Sequence, residues 1–252
     1  MKRDRIDRIA DLLDKRGKLS LEQLAEYFPD VSQMTLRRDL VLLEQQERII
    51  RVRGGAMSVK EVQKVSGEAY AKKTAIHTDE KIEIARKAAS LIEEHSSLFM
   101  DGGTTSMCLA KELPDINLHV FTNGLAVAVE LAKKKNFNVN VFGGQVLKDN
   151  LSTASSASKI YIENTNFELA VMSASAFTPE NGFSCGSQLE ADFLQEMRKK
   201  AKAVYMMLDS SKIGKIMPYT FARLDDIDVL ITDESFPAEL KEEFAKRNIV
   251  VM

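Results

Sequence analysis

Residues 99–107 read FMDGGTTSM: a short apolar run set directly against two glycines, two threonines and a serine. This is the pattern of a strand that ends, turns tightly and opens a helix. Backbone N–H groups at such a turn lack intrahelical partners and are suited to holding an anion. The loop is not Walker A, because no Gly-Lys-Ser/Thr follows, and it is not GxGxxG. A phosphorylated small molecule therefore suits it better than a nucleotide.

Outward from this loop the chain alternates. A helix is predicted from Lys81 to Ile92, with Ile82, Ala85, Ala89 and Ile92 on its apolar face, then a strand over Ser97–Met100 and a helix over Ser106–Leu113. Leu118–Phe121, Asn138–Phe142, Glu168–Met172, Ala203–Leu208 and Val229–Thr232 read as further strands, with helices running up to Lys133 and over Leu189–Ala201. Short apolar strands separated by amphipathic helices predict an α/β domain with a mostly parallel sheet covered on both faces. In such sheets ligands lie beyond the carboxyl ends of the strands. Four polar or glycine-rich stretches fall at those ends: Asp101-Gly102-Gly103-Thr104-Thr105-Ser106, Thr122-Asn123, Gly143-Gly144, and the 209–212 stretch that ends in Lys212. Each alone reads equally as a plain turn or a solvated lysine. Together they predict one rim, with glycines admitting an anion, hydroxyls donating to it and Lys212 supplying charge.

The front of the chain has a different character. Ile6, Ile9, Leu12 and Leu13 recur at helical spacing up to Gly17, and Ser20-Leu-Glu-Gln23 forms a capping box for a second helix carrying Leu21, Leu24, Ala25 and Phe28. After Pro29-Asp30, Ser32 is placed to cap a third helix over roughly 33–46, where Leu36, Leu40 and Leu43 must face a core. That leaves Gln33, Thr35, Arg37 and Arg38 at its exposed N-terminal end. Two short helices about a tight turn, the second polar and basic at its start, form the helix-turn-helix pattern, though an ordinary three-helix bundle shares it. The run from Glu47 to Arg53 then alternates apolar and basic residues before Gly54-Gly55, predicting a wing whose Arg51 and Arg53 lie against DNA phosphates or a minor groove. Residues 1–57 carry 12 Lys and Arg against 10 Asp and Glu, whereas the other 195 residues carry 23 against 27. The sign matches a front end that meets a polyanion.

Residues 31–56, VSQMTLRRDLVLLEQQERIIRVRGGA, resemble the DNA-binding domain of the DeoR family of bacterial sugar-metabolism repressors. By this resemblance Ser32, Thr35, Arg37 and Arg38 contact double-stranded operator DNA, with Arg51 and Arg53 on the wing. The Asp-x-Gly-Thr-Thr loop, the Thr-Asn after a strand, the Gly-Gly and the Asp-x-Ser-Lys stretch follow in the family's order. The second half is thereby similar to the family's sensor domain, whose fold is related to ribose-5-phosphate isomerase. The resemblance implies a transcriptional repressor of a carbohydrate-utilisation operon, controlled by a phosphorylated sugar or sugar-pathway intermediate and acting as a homodimer or higher homo-oligomer. One stretch departs from the family: Ala174-Ser175-Ala176-Phe177 stands where an acidic, glycine-containing segment is common. Glu190, just inside the following helix, reads either as a ligand contact or as a partner of the helix dipole.

These readings divide the chain into a winged helix-turn-helix domain over 1–57, a charge-rich linker over 58–76 and an α/β effector-sensing domain over 77–252. At 252 residues, 44% hydrophobic and 29% charged, the chain has the composition of folded domains. Cys108 and Cys185 stand apart, as do His77, His95 and His119, so neither a metal site, a cofactor nor a disulfide framework is expected, and a cytoplasmic location is. The charged opening is unlike a secretory signal, and no 18-residue apolar run suggests a membrane span. The fold relationship makes a sugar-phosphate isomerase-like enzyme the rival reading. Such an enzyme needs a positioned carboxylate base, and residues 173–177 contain none. An architectural DNA-binding protein without a ligand is the third class.

Overall fold

The computed structural model describes residues 2–46, 48–52, 54–59, 70, 73–155 and 162–252. It forms two compact units, 1–78 and 79–252. Arg53, Glu47 and most of the expected linker (60–69, 71 and 72) lie outside the described residues.

The first unit is built from helices α1 (Lys2–Arg16), α2 (Leu21–Tyr27) and α3 (Gln33–Gln45) and strands β1 (Lys18–Ser20), β2 (Ile49–Val52) and β3 (Gly55–Ser58). The capping box forms as the sequence predicts. The Gln23 amide donates to Ser20 Oγ at 3.1 Å, and the Ser20 amide donates to Gln23 Oε1 at 2.8 Å. Ile6, Ile9, Leu13, Leu24, Leu36, Leu40 and Leu43 close one apolar core. The wing is larger than its basic run: β2 and β3 pair antiparallel, and β1 adds a third strand on the far side of β3.

The second unit carries a seven-stranded, all-parallel sheet. Its strands are β4 (Ser97–Met100), β5 (Leu118–Thr122), β6 (Phe137–Val141), β9 (Phe167–Ser173), β12 (Ala201–Leu208), β14 (Val229–Thr232) and β15 (Val250–Val251). Their spatial order is β15-β14-β12-β9-β4-β5-β6. Central strands such as β4 and β9 bury both faces and so read as near-continuous apolar runs. Edge strand β6, with the sequence FNVNV, is mostly exposed and alternates. Helices α4 (Thr78–Ala89), α5 (Thr104–Glu112) and α6 (Leu125–Leu131) cover one face over Leu98, Met100, Val120 and Val171. Helices α7 (Gln188–Lys199) and α8 (Ala238–Lys246) cover the other over Phe99, Phe167 and Met206. Two antiparallel additions escape the sequence reading: the hairpin β7 (Gln145–Leu147) with β8 (Ser152–Ala154), and a small sheet of β10 (Ala176–Thr178), β11 (Gly182–Cys185) and β13 (Tyr219–Ala222). No helix among the described residues is long and apolar enough to cross a membrane.

From β4 the chain winds outward through β5 to β6. It then returns to the other side of β4 and winds the opposite way through β9, β12, β14 and β15. The switch in direction lies between β4 and β9, and their carboxyl ends therefore open the crevice where doubly wound sheets bind ligands.

Candidate functional site

In the first unit, Ser32 caps α3: the Thr35 amide donates to Ser32 Oγ at 3.2 Å, and the two hydroxyls lie 2.9 Å apart. With Leu36, Leu40 and Leu43 buried, helical periodicity leaves Gln33, Arg37 and Arg38 exposed and Thr35 half-buried. The guanidinium of Arg51 is tied back to α3, with Nε donating to Glu44 Oε2 at 2.6 Å and the Arg51 amide donating to Glu44 Oε1 at 3.1 Å. Arg37 and Arg51 both line a cleft of about 270 Å³, together with Leu21, Leu40, Val52 and Gly54. The ion pair orients the Arg51 head and removes part of its reach, which the sequence reading did not foresee.

In the second unit the 101–106 turn sits at the switch point. Asp101 is buried and accepts from Ser173 N at 2.7 Å, from Ser173 Oγ at 2.9 Å and, on its other oxygen, from Ser106 Oγ. Burial pushes its carboxyl up to about 7, against the pull of those three donors, and the nearby Glu190 charge adds to the rise. Gly102 admits no side chain, because a Cβ there would stand 2.5 Å from Ser152 Cβ and 3.1 Å from Gly124 Cα. Gly103 takes φ +136 and is the N-cap of α5, and among the described residues no side chain caps that helix. Its first-turn amides therefore end at the crevice without a side-chain acceptor, beside the half-buried Thr104.

Part of the expected rim has a different role. Gly102 does not offer a bare amide: its N–H donates to Asn123 Oδ1 at 2.9 Å, while Asn123 Nδ2 donates to Thr153 O at 2.9 Å. Thr122 Oγ1 accepts from Gly124 N at 2.9 Å. Thr122, Asn123, Thr105 and Ser106 are buried, so they brace the loops from within instead of lining an open mouth. Gly143 and Gly144 are exposed at the start of the β7–β8 hairpin, where a Cβ on Gly144 would meet Ala154 O at 2.4 Å. The hairpin nonetheless belongs to the same assembly, because the Thr153 amide donates to Asn123 O at 2.7 Å.

Sequence reasoning missed Lys81. The buried residues of α4 are Thr78, Lys81, Ile84, Ala85 and Ala88, with Ile92 just beyond its end, rotated from the predicted face of Ile82, Ala85, Ala89 and Ile92. Extending Ile84, Ala85 and Ala88 backward by the i, i+3, i+4, i+7 rule lands on Lys81, and that was the available signal. At 2% exposure, burial lowers its ammonium to about 8, with Asp209 opposing the fall and the Lys212 charge assisting it. Lys81 also feels Cys108, which lies one turn along α5 from Thr104. The Lys81 ammonium therefore lies within electrostatic reach of Asp209 and Lys212, in the loop that follows β12. Glu190 is buried in the first turn of α7 and accepts from Asn150 Nδ2.

The arrangement suits an anion better than proton transfer. Asp101 has the pKa of a base, but both its oxygens are engaged and it is sealed from solvent.

Comparison with known proteins agrees with both halves. Residues 5–62 match the DeoR-like helix-turn-helix domain, and residues 76–234 match the DeoR C-terminal sensor domain. The chain is 32% identical over 239 residues to the uncharacterized HTH-type transcriptional regulator YulB of Bacillus subtilis (strain 168), covering 94% of this chain and 92% of that one. It is 32% identical to the lactose phosphotransferase system repressor of Streptococcus mutans serotype c, covering 92% of each chain. Among solved structures, ribose 5-phosphate isomerase A of Methanocaldococcus jannaschii aligns with a TM-score of 0.39 at 11% identity over 54% of each chain. With a DeoR-like reading head followed by a DeoR sensor domain along almost its whole length, the chain belongs to the DeoR family of HTH-type transcriptional regulators.

Proposed function

We propose that this regulator represses a carbohydrate-utilisation operon and is released from its operator by a phosphorylated sugar held at the β4–β9 switch point. The observation that carries the reading is the uncapped N-terminus of α5 at the β4–β9 switch point, the crevice where doubly wound sheets bind ligands, with Lys81 and Lys212 within electrostatic reach of each other. The helix end and Thr104 provide directed donors, and the two lysines provide the charge a phosphate dianion needs. The similarity to the lactose phosphotransferase system repressor of Streptococcus mutans supports a sugar-linked effector. On the DNA side, Gln33, Arg37 and Arg38 read base edges, while Arg51 and Arg53 hold phosphates. Two heads in a homo-oligomer engage successive major-groove faces. Effector binding biases the placement of the heads, and a coupling of ~1–3 kcal/mol corresponds to about 5- to 150-fold in operator affinity.

The test is a panel of sugar phosphates, and the parent sugars, titrated against the full chain by calorimetry and against its operator complex by anisotropy. A phosphorylated member that binds and lowers operator affinity supports the reading. Equal binding of the unphosphorylated sugar, or no binding by any member, overturns it.

A further inference from the structure

The polar, basic face of α3 carries one residue that polarity does not explain. Met34 is 59% exposed, and the only other large apolar side chain exposed among the described residues of the first unit is Tyr27, at the end of α2. Isolated exposed apolar residues are common, but the placement of Met34 is particular. Helical geometry, at 100° per residue, sets Arg37 and Arg38 about 60° to one side and 40° to the other of Met34, one turn further along. Both arginines are exposed, whereas Leu36, Asp39 and Leu40 face the interior. Met34 thus occupies the middle of the face that carries the arginines, in the first turn of the helix. It also follows Gln33, so the tip presents an amide, a flexible thioether and two guanidiniums in succession.

The major groove distinguishes base pairs by hydrogen-bonding groups and by one apolar feature, the thymine 5-methyl. Arginine pairs with guanine and glutamine with adenine, so three of the four exposed groups already have polar partners in that code. A thioether has no strong hydrogen bond to offer, and its flexible chain adapts to an irregular apolar contact. We infer that Met34 packs on the 5-methyl group of a thymine lying between the bases read by Arg37 and Arg38, making it a specificity-determining residue of the head. This rests on the DNA-reading role proposed above for α3.

The experiment begins by selecting the preferred site of the full-length protein from random duplex DNA. Each thymine of that site is then replaced in turn by deoxyuridine, which deletes only the methyl group. For the wild type, one thymine per half-site should show a loss of about four-fold, the size expected for one buried methyl. Met34→Ala should bind the parent site more weakly and lose all sensitivity at that thymine, while Met34→Leu keeps it. Arg38→Ala should lose affinity but retain the methyl effect. If no thymine is methyl-sensitive, or if the sensitivity persists in Met34→Ala, the inference fails while DNA reading by α3 stands. If no sequence is enriched at all, the DNA reading fails and this inference fails with it.

Discussion

Lys81 and Asp101 are both ionisable groups taken out of water, and burial moves them in opposite directions toward neutrality. For Asp101 the folded carboxyl titrates near 7, above its value of about 4 in an unfolded chain. The stability gained by keeping its proton is complete below pH 4 and is lost as pH rises through 7. Urea unfolding of the full chain at pH 5 and pH 8 should therefore show the sensor losing stability with rising pH relative to Asp101→Asn, in which nothing titrates at that position. Lys81 titrates near 8. A bound dianion needs its proton, so affinity for the phosphorylated effector should fall between pH 7.5 and 9 in the wild type. In Lys81→Met, affinity should be weaker throughout and flat over that interval, as calorimetry would show. On the head, Arg38→Ala should weaken operator binding by about 5- to 150-fold, the loss of ~1–3 kcal/mol expected for one base contact, with effector binding unchanged.

At the scale of elements, the head depends on caps and the sensor on a close approach. Ser20→Ala removes the Gln23 amide's acceptor and should cost about 1 kcal/mol in denaturant unfolding of the full chain, against a few tenths for Ser20→Gly. Gly102→Ala drives a methyl into Ser152 and should cost about 1–3 kcal/mol, with Ser152→Gly in the same chain recovering part of the loss. Such elements differ in how legible they were. Helices α1 to α3 and strands β4 and β14 follow from local periodicity and caps, which neighbouring residues determine. The β7–β8 hairpin and the β10–β11–β13 sheet are three- and four-residue strands joined by pairing that is distant or weakly patterned, so no period betrays them. The face of α4 was misjudged because a lysine on an amphipathic helix reads as solvated, and the groups whose charges act on it here, Asp209 and Lys212, stand more than a hundred residues away. The rim was legible as a set of strand-end loops. Which loops brace and which face the crevice depended on hydrogen bonds such as Gly102 to Asn123, which span twenty-one positions.

For the whole molecule, replacing Thr104 with Val removes a hydroxyl at the α5 mouth without disturbing the head. Operator affinity in the absence of effector should stay within about two-fold of wild type, while the effector-induced loss of binding should shrink at least ten-fold, read as a shift in anisotropy titrations. A full response in that variant would remove Thr104 from the effector site. The boundary between the compact units falls after Thr78, and Lys81 follows three positions later in the opening turn of α4. If Lys81 meets the effector's phosphate as proposed, the ammonium that does so stands in the turn where the chain from the reading head enters the sensor unit. In that reading, news of sugar has less than one helical turn of covalent chain to travel from Lys81 to the unit boundary.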